Sequence, residues 1–333
     1  MCVIWEEKTS MDNFIFAVNA TLPVFFVILI GWFLRQIGLL NDAFTKVGDQ
    51  YVFKCALPVS LFLSVSEMDF YSDFNPQFCL FCFLVTTVMF FGVWGLTSLL
   101  MKDRSMIGAF SQAATRSSAA ILGIAIATNI YGSSGMVPMM IVAAVPFFNI
   151  YSVLILTFSP HVDEAGHLLP PSTDGGSMVK KACLNVIKNP IIIGILLGLP
   201  FALLRIQLPV LITKTLDMVG GTATPIALLV VGASFSGSEA LKKWKPAVVA
   251  TVIKLLLLPA LFLPLAAWLG FRNSELVAIL IMVGSPTTVS CYVMAKNMHN
   301  DGVLTSNCIL LATLFSSLSI TFWLFILRNF ALL

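Results

Sequence analysis

Two short polar stretches stand inside otherwise apolar sequence: Arg116-Ser117-Ser118 and Ser285-Pro286-Thr287-Thr288. Together they bring one guanidinium and five hydroxyls. A guanidinium presents a planar fork of N–H donors that grips a carboxylate through two bonds. Hydroxyls, and N–H groups freed where a helix is interrupted, add neutral donors. The set suits the holding of an anion rather than bond-making chemistry. His161, His167 and His299 lie in loops or at the end of an apolar run, no H-E-x-x-H occurs, and no pair of carboxylates falls deep inside a run. Cys79 and Cys82 form a C-x-x-C with no second pair and no histidine beside it, which reads as packing rather than as a metal site. Neither a metal nor a cofactor is expected, and the chain does not read as an enzyme.

The elements that must position these residues are membrane helices. Of the 333 residues 58% are hydrophobic and 11% charged, against roughly 25% charged in soluble domains. Runs of about 20 apolar residues, the length that crosses a bilayer core, recur at 14–34, 44–66, 77–100, 105–130, 136–158, 184–204, 211–235, 246–269, 274–297 and 304–328. Arg116 falls about 11 residues into the fourth run and Pro286 about 12 into the ninth, roughly 18 Å at 1.5 Å per residue and so near mid-depth. A charge at that depth is expensive and marks a functional site by default. Pro286 removes one backbone N–H and clashes with the carbonyl of Met282, and Gly284 admits backbone angles that other residues avoid. In hydrocarbon each unpaired backbone group costs several kcal/mol. A kink healed by neighbouring helices would account for an isolated proline. Gly284-Ser285 before it, Thr287-Thr288 after it and a partner stretch in the fourth run favour a functional break. Two further cations lie within runs: Lys54, four residues before Pro58, and Lys254, about eight residues into its run and able to snorkel.

Charge sign carries information about the ligand. All sixteen Asp and Glu can be placed in loops or near run ends, so the buried charges are cationic. Positive charge together with helix N-termini suits an anion and does not suit coupling through a buried carboxylate pair. Placing the N-terminus outside puts eleven Lys and Arg on inner loops and five on outer segments, with three inside runs. By the positive-inside rule both termini are then extracytoplasmic. The net charge of +3 reflects those inner loops, not a nucleic-acid partner.

The chain also divides. The longest polar linker, SPHVDEAGHLLPPSTDGGSMVKKA at 159–182, separates five runs from five, giving units of 1–158 and 183–333. TLPVFFVILIG (21–31) aligns with KNPIIIGILLG (188–198), Pro23 on Pro190 and Gly31 on Gly198. At the same offset of 167, CALPVSLFL (55–63) aligns with TATPIALLV (222–230), Pro58 on Pro225. An offset near 170 lays the fourth run on the ninth, with Gly132 on Gly302. Five spans per half turn the second copy upside down. Inverted repeats with interrupted helices near the midplane are typical of secondary transporters.

At three stretches, NATLPVFFVILIGWFLRQIGLL (19–40), RSSAAILGIAIATNIYG (116–132) and SPTTVSCYVMAKNM (285–298), the sequence resembles the auxin efflux carrier family, and the resemblance covers nearly all of the chain beyond Met11. That family includes bacterial permeases for malate-like or malonate-like acids and the plant auxin carriers. The resemblance implies a fold of the sodium/proton-antiporter type: an all-α membrane protein of ten transmembrane helices as two inverted five-helix repeats. It also implies a scaffold of spans 1, 2, 6 and 7, a transport part of spans 3–5 and 8–10, breaks in crossing spans 4 and 9, and a homodimer through the scaffold. Ser118 stands where the family usually has Asn, and Ala125, two residues after Gly123, where it usually has Pro. Arg116 and the short linker match the bacterial branch.

The expected protein is therefore a multi-pass carrier of the cell membrane, moving a small organic anion, a mono- or dicarboxylate, by alternating access. Arg116, Ser117, Ser118, Ser285, Thr287 and Thr288 are the expected substrate contacts. Gly123, Gly284, Pro286, Pro58 and Pro225 are the expected helix-break positions. The expected partners are the substrate, the lipid bilayer and a coupling ion, proton or sodium. An anion channel, or a membrane sensor without active transport, is the alternative.

Overall fold

A computed structural model describes residues 23, 26–67, 75–119, 126–127, 130–131, 135–161, 168, 188–234 and 243–333. Gly123 and most of the 159–182 linker lie outside these. The described residues form helices joined by turns, with an isolated antiparallel bridge between Ser117 and Thr287 and no strand among them. In chain order the helices are α1 (Phe26–Gln36), α2 (Asp42–Tyr51), α3 (Leu57–Ser66), α4 (Pro76–Leu100), α5 (Ile107–Thr115) and α6 (Val137–Phe158). After the linker come α7 (Pro190–Leu203), α8 (Val210–Gly221), α9 (Ala223–Ala233), α10 (Trp244–Val252), α11 (Leu258–Trp268), α12 (Ser274–Gly284), α13 (Ser290–Asn297) and α14 (Gly302–Asn329). Five helical stretches are long and apolar enough to cross a bilayer: α4, α6, α8 with α9, α10 with α11, and α14. Their outward faces are apolar too. On α4 Leu80, Leu84, Val88 and Phe91 repeat at helical spacing and are all exposed, as a lipid-facing stripe requires.

Local sequence explains where these helices begin. Asn75 and Asn189 each precede a proline, and their side-chain oxygens accept from the N–H groups of Phe78 and Ile191. Asp301 caps α14 in the same way through Leu304. An oxygen at the N-cap with proline at the first helical position satisfies donors that have no intrahelical partner.

The buried residues form two cores. One gathers α4, α5, most of α6, α10, α11, α12 and α14; within it Leu276 to Val283 of α12 are wholly buried. The other gathers α1, α7, α9, the segment Val52–Ala56 and α13. Glycines let the backbones of the second core meet. A Cβ added at Gly31 would collide with the carbonyl oxygen of Leu229, and one added at Gly198 would lie 2.7 Å from that of Phe62.

Two short π-helical segments, Val52–Ala56 before α3 and Ile253–Leu257 before α11, contain the two run-internal lysines, Lys54 and Lys254. Each segment precedes a proline, Pro58 or Pro259, whose missing N–H leaves the carbonyl four residues back without its helical donor. At Pro259 that carbonyl is Leu255, which instead accepts from Ser319 Oγ at 2.7 Å and Trp323 Nε1 at 2.9 Å. The chain thus continues as helix around Pro58, with a π-helical segment and no gap. Pro225 is the third residue of α9, just past a single turn at Thr222.

Candidate functional site

Two helices stop at mid-course and face each other. α5 ends at Thr115, and Arg116 turns to extended backbone (φ −74°, ψ 125°). α12 ends at Gly284, and Ser285 turns the same way (φ −74°, ψ 159°). The extended stretches cross as an antiparallel bridge between Ser117 and Thr287. The N–H of Ser118 donates to the carbonyl of Pro286 at 2.9 Å. Each stretch also serves the other helix. Ser117 Oγ donates to the carbonyl of Met282 near the end of α12 at 2.5 Å, and Thr287 Oγ1 donates to that of Ala113 near the end of α5 at 2.8 Å. Backbone carbonyls that the break orphans are thereby met by hydroxyls of the opposite segment, which lets irregular backbone persist where it is buried in protein. Gly284 is needed for packing as much as for backbone freedom, since a Cβ there would sit 2.8 Å from Pro259 Cγ.

Two buried cations flank the crossing. Lys254 is 0% exposed. Its Nζ donates to the carbonyl of Thr115 at 2.7 Å, to that of Val283 at 3.0 Å and to Ser117 Oγ. Thr115 is the last residue of α5 and Val283 the last but one of α12, so the ammonium joins the negative ends of both broken helices. Arg116 is 5% exposed. Its guanidinium donates to Asn149 Oδ1 of α6 and touches Met294 Sδ of α13. Asn149 is held by its own bond to the Val145 carbonyl at 3.0 Å. These partners are neutral. Among the described residues no carboxylate contacts either cation.

The structure brings Arg116, Ser117, Ser118, Pro286 and Thr287 together at the crossing. Ser285 is fully buried beside them, with a hydroxyl that has no partner among the described residues. Thr288 turns along the chain to Ser290, their oxygens 3.3 Å apart. Pro58 and Pro225 belong to the second core's helices, where the Pro58 carbonyl is the close neighbour of Gly194 on α7. Sequence reasoning underrated Lys254, which lies too deep to snorkel. It also missed Asn149, Met294 and Gln112, whose Nε2 donates to the Cys291 carbonyl at 2.8 Å. For Lys254 the available signal was a cation five residues before a proline; for the others there was none beyond a polar residue in an apolar run.

The break also falls between the two cores. α12 lies wholly in the first, whereas Val289, Tyr292, Val293 and Met294 pack in the second. One ion pair ties α13 to α2: Lys296 with the carboxylate of Asp49, supported by Tyr292 OH 3.2 Å from the ammonium. Asp49 and Asp301 are buried, each against a lysine, which corrects the expectation that the buried charges are all cationic.

Comparison with known proteins gives this geometry a context. The sequence profile of the membrane transport protein family matches residues 16–324. An uncharacterized transporter of Methanothermobacter thermautotrophicus is 23% identical over 316 residues, 93% of this chain and 98% of the relative. An uncharacterized transporter of Methanocaldococcus jannaschii is 22% identical over 326 residues, 94% of this chain and 99% of the relative. The chain thus belongs to the membrane transport protein family, that of the auxin efflux carriers.

Proposed function

We propose that the protein is a secondary transporter that carries a small organic anion, a mono- or dicarboxylate, across the cell membrane by alternating access, and that Arg116 receives the substrate's charge. One observation carries this reading: a guanidinium 5% exposed, at the break of a helix, whose partners are an amide oxygen and a thioether. A buried charge is costly unless paired. Arginine has five N–H donors, and the two contacts to Asn149 and Met294 leave donors for a carboxylate. The hydroxyl of Thr288 bonds to neither broken helix, that of Ser285 has no partner among the described residues, and the positive end of α13 lies beside them. Ser117, Ser285 and Thr287 shape the floor of the site, with Gly284 and Pro286 keeping the ninth span open.

The reading includes two inverted repeats, which internal correspondences support. The bridged residues Ser117 and Thr287 are 170 positions apart, the offset that lays the fourth span on the ninth. The Gly31–Leu229 and Gly198–Phe62 contacts exchange with each other under the offset of 167. A local two-fold relation through the crossing would produce both. Extracytoplasmic termini and a homodimer through the second core's helices complete the proposal.

The test is uptake of labelled mono- and dicarboxylates into proteoliposomes, followed by counterflow. A carrier accumulates label against preloaded unlabelled substrate, because one site alternates between the two sides. Uptake without counterflow would make the protein a channel, and no uptake or binding of any carboxylate would overturn the substrate class.

A further inference from the structure

Lys254 and Arg116 lie on either side of one crossing, yet their surroundings differ in kind. An ammonium has three N–H donors, and Lys254 has three acceptors: the carbonyls of Thr115 and Val283 and the hydroxyl of Ser117. Its hydrogen-bonding capacity is spent. The two carbonyls belong to the C-terminal turns of α5 and α12, and each helix C-terminus carries roughly half a negative charge. Two such ends offset about one unit of positive charge. Two carbonyls and a hydroxyl converging on one point are also what a hard inorganic cation takes as ligands. In this chain the point is filled by Nζ.

We propose that Lys254 is a resident cation, which takes the place at the helix crossing that a metal ion would otherwise occupy, so that transport proceeds without a metal co-substrate. Lys254 is thus a positioning residue. It holds the two broken ends together, balances their dipoles and leaves the charge of Arg116 over for the substrate. The inference rests on the crossing being the transport site. It narrows the coupling ion, because sodium finds the three-oxygen position already taken.

Thermal unfolding of purified protein without substrate, in sodium, lithium, potassium or choline chloride at equal ionic strength, tests this separately from any substrate. Wild-type melting should be the same in all four salts. Lys254→Gln removes the charge with a side chain that ends one atom short of Nζ. It should melt lower in choline and regain several degrees in sodium or lithium, because the exposed carbonyls then accept a small cation. Lys254→Arg, which retains the charge, should stay indifferent to the salt. Wild-type stabilisation by sodium over choline would overturn the proposal, as would a folded Lys254→Gln protein with no salt preference. Should Lys254→Gln fail to fold, uptake by the wild type decides: equal rates with sodium or choline support the proposal, and sodium-dependent uptake refutes it. Carboxylate binding in all four salts alike would leave the substrate reading intact whichever way the salt result fell.

Discussion

Replacing Arg116 with Gln is the sharpest test of the site. Glutamine removes the charge and ends two bonds short of the Nη2 that now engages Asn149 Oδ1, so the guanidinium's fork is lost together with its charge. A hydrogen bond to a charged group contributes about 1.5–3 kcal/mol, and about 1.4 kcal/mol is tenfold in affinity. Loss of one such bond should therefore weaken carboxylate binding by about 10- to 150-fold, and loss of a two-bond grip by more. Stability should move the other way. Burying an ion costs several kcal/mol after relaxation, and the neutral partners of Arg116 return only part of that, so the substrate-free variant should melt no lower than the wild type. Arg116→Lys keeps the charge without the fork and should fall between the two in affinity. The assay is equilibrium binding of the preferred carboxylate to purified protein, beside thermal unfolding of the empty protein. Unchanged affinity, or a drop in melting temperature with no change in affinity, would show that Arg116 holds the fold and not the substrate.

Pro286→Ala restores an N–H that can join α12 to α13, so uptake should fall by about tenfold or more, the worth of one charge-assisted bond, without loss of thermal stability. Wild-type uptake would show that the Ser117–Thr287 bridge holds the break by itself. Gly232→Ala drives a methyl group into the Ile28 carbonyl and should cost about 1–3 kcal/mol by overpacking, whereas Gly92→Ala on α4 meets nothing within 4 Å and should be neutral or slightly stabilising; melting temperatures decide. Asp49→Cys with Lys296→Cys, in a protein cleared of its native cysteines, should be joined by a short bifunctional methanethiosulfonate, and the cross-link should stop uptake until reductant is added, because the pair ties α13 to α2. Full uptake in the cross-linked protein would mean that α2 and α13 do not separate during transport.

How far the sequence carried depended on what each signal measures. Hydropathy reports the solvent, so the helical membrane character was legible from run lengths. Proline and glycine report backbone, and Pro286 with Gly284 marked the place where α12 ends. The same signal misled at Pro58, where the segment Val52–Ala56 takes up the lost bond by π-helical winding. Spacing along a run cannot distinguish an outward-reaching lysine from an enclosed one. Lys254 looked able to snorkel, and only the packing of α5, α11 and α12 around it shows that it has no route to water. Asn149 and Gln112 were illegible for a related reason. Their roles lie in partners 33 and 179 positions away, which no local pattern encodes.

The different balance of the two cations bears on how a crossing of this kind can move. Lys254 with its two helix ends is close to neutral as a unit, so shifting it relative to lipid or to the field costs little. Arg116 brings about one uncompensated charge, and a unit charge moved across the membrane potential changes energy by about 2.3 kcal/mol per 100 mV. On the proposed reading a bound monocarboxylate cancels that charge. The loaded crossing would then reorient as a neutral body, and the empty one would carry its charge through the same low-dielectric path. The break between α12 and α13 sits where the two cores meet. On the same reading, substrate binding would remove the electrostatic penalty at the boundary along which the cores would slide. On that reading, a cation satisfied by helix ends and another left for the ligand would give the loaded carrier an easier passage than the empty one, with no carboxylate at the crossing required.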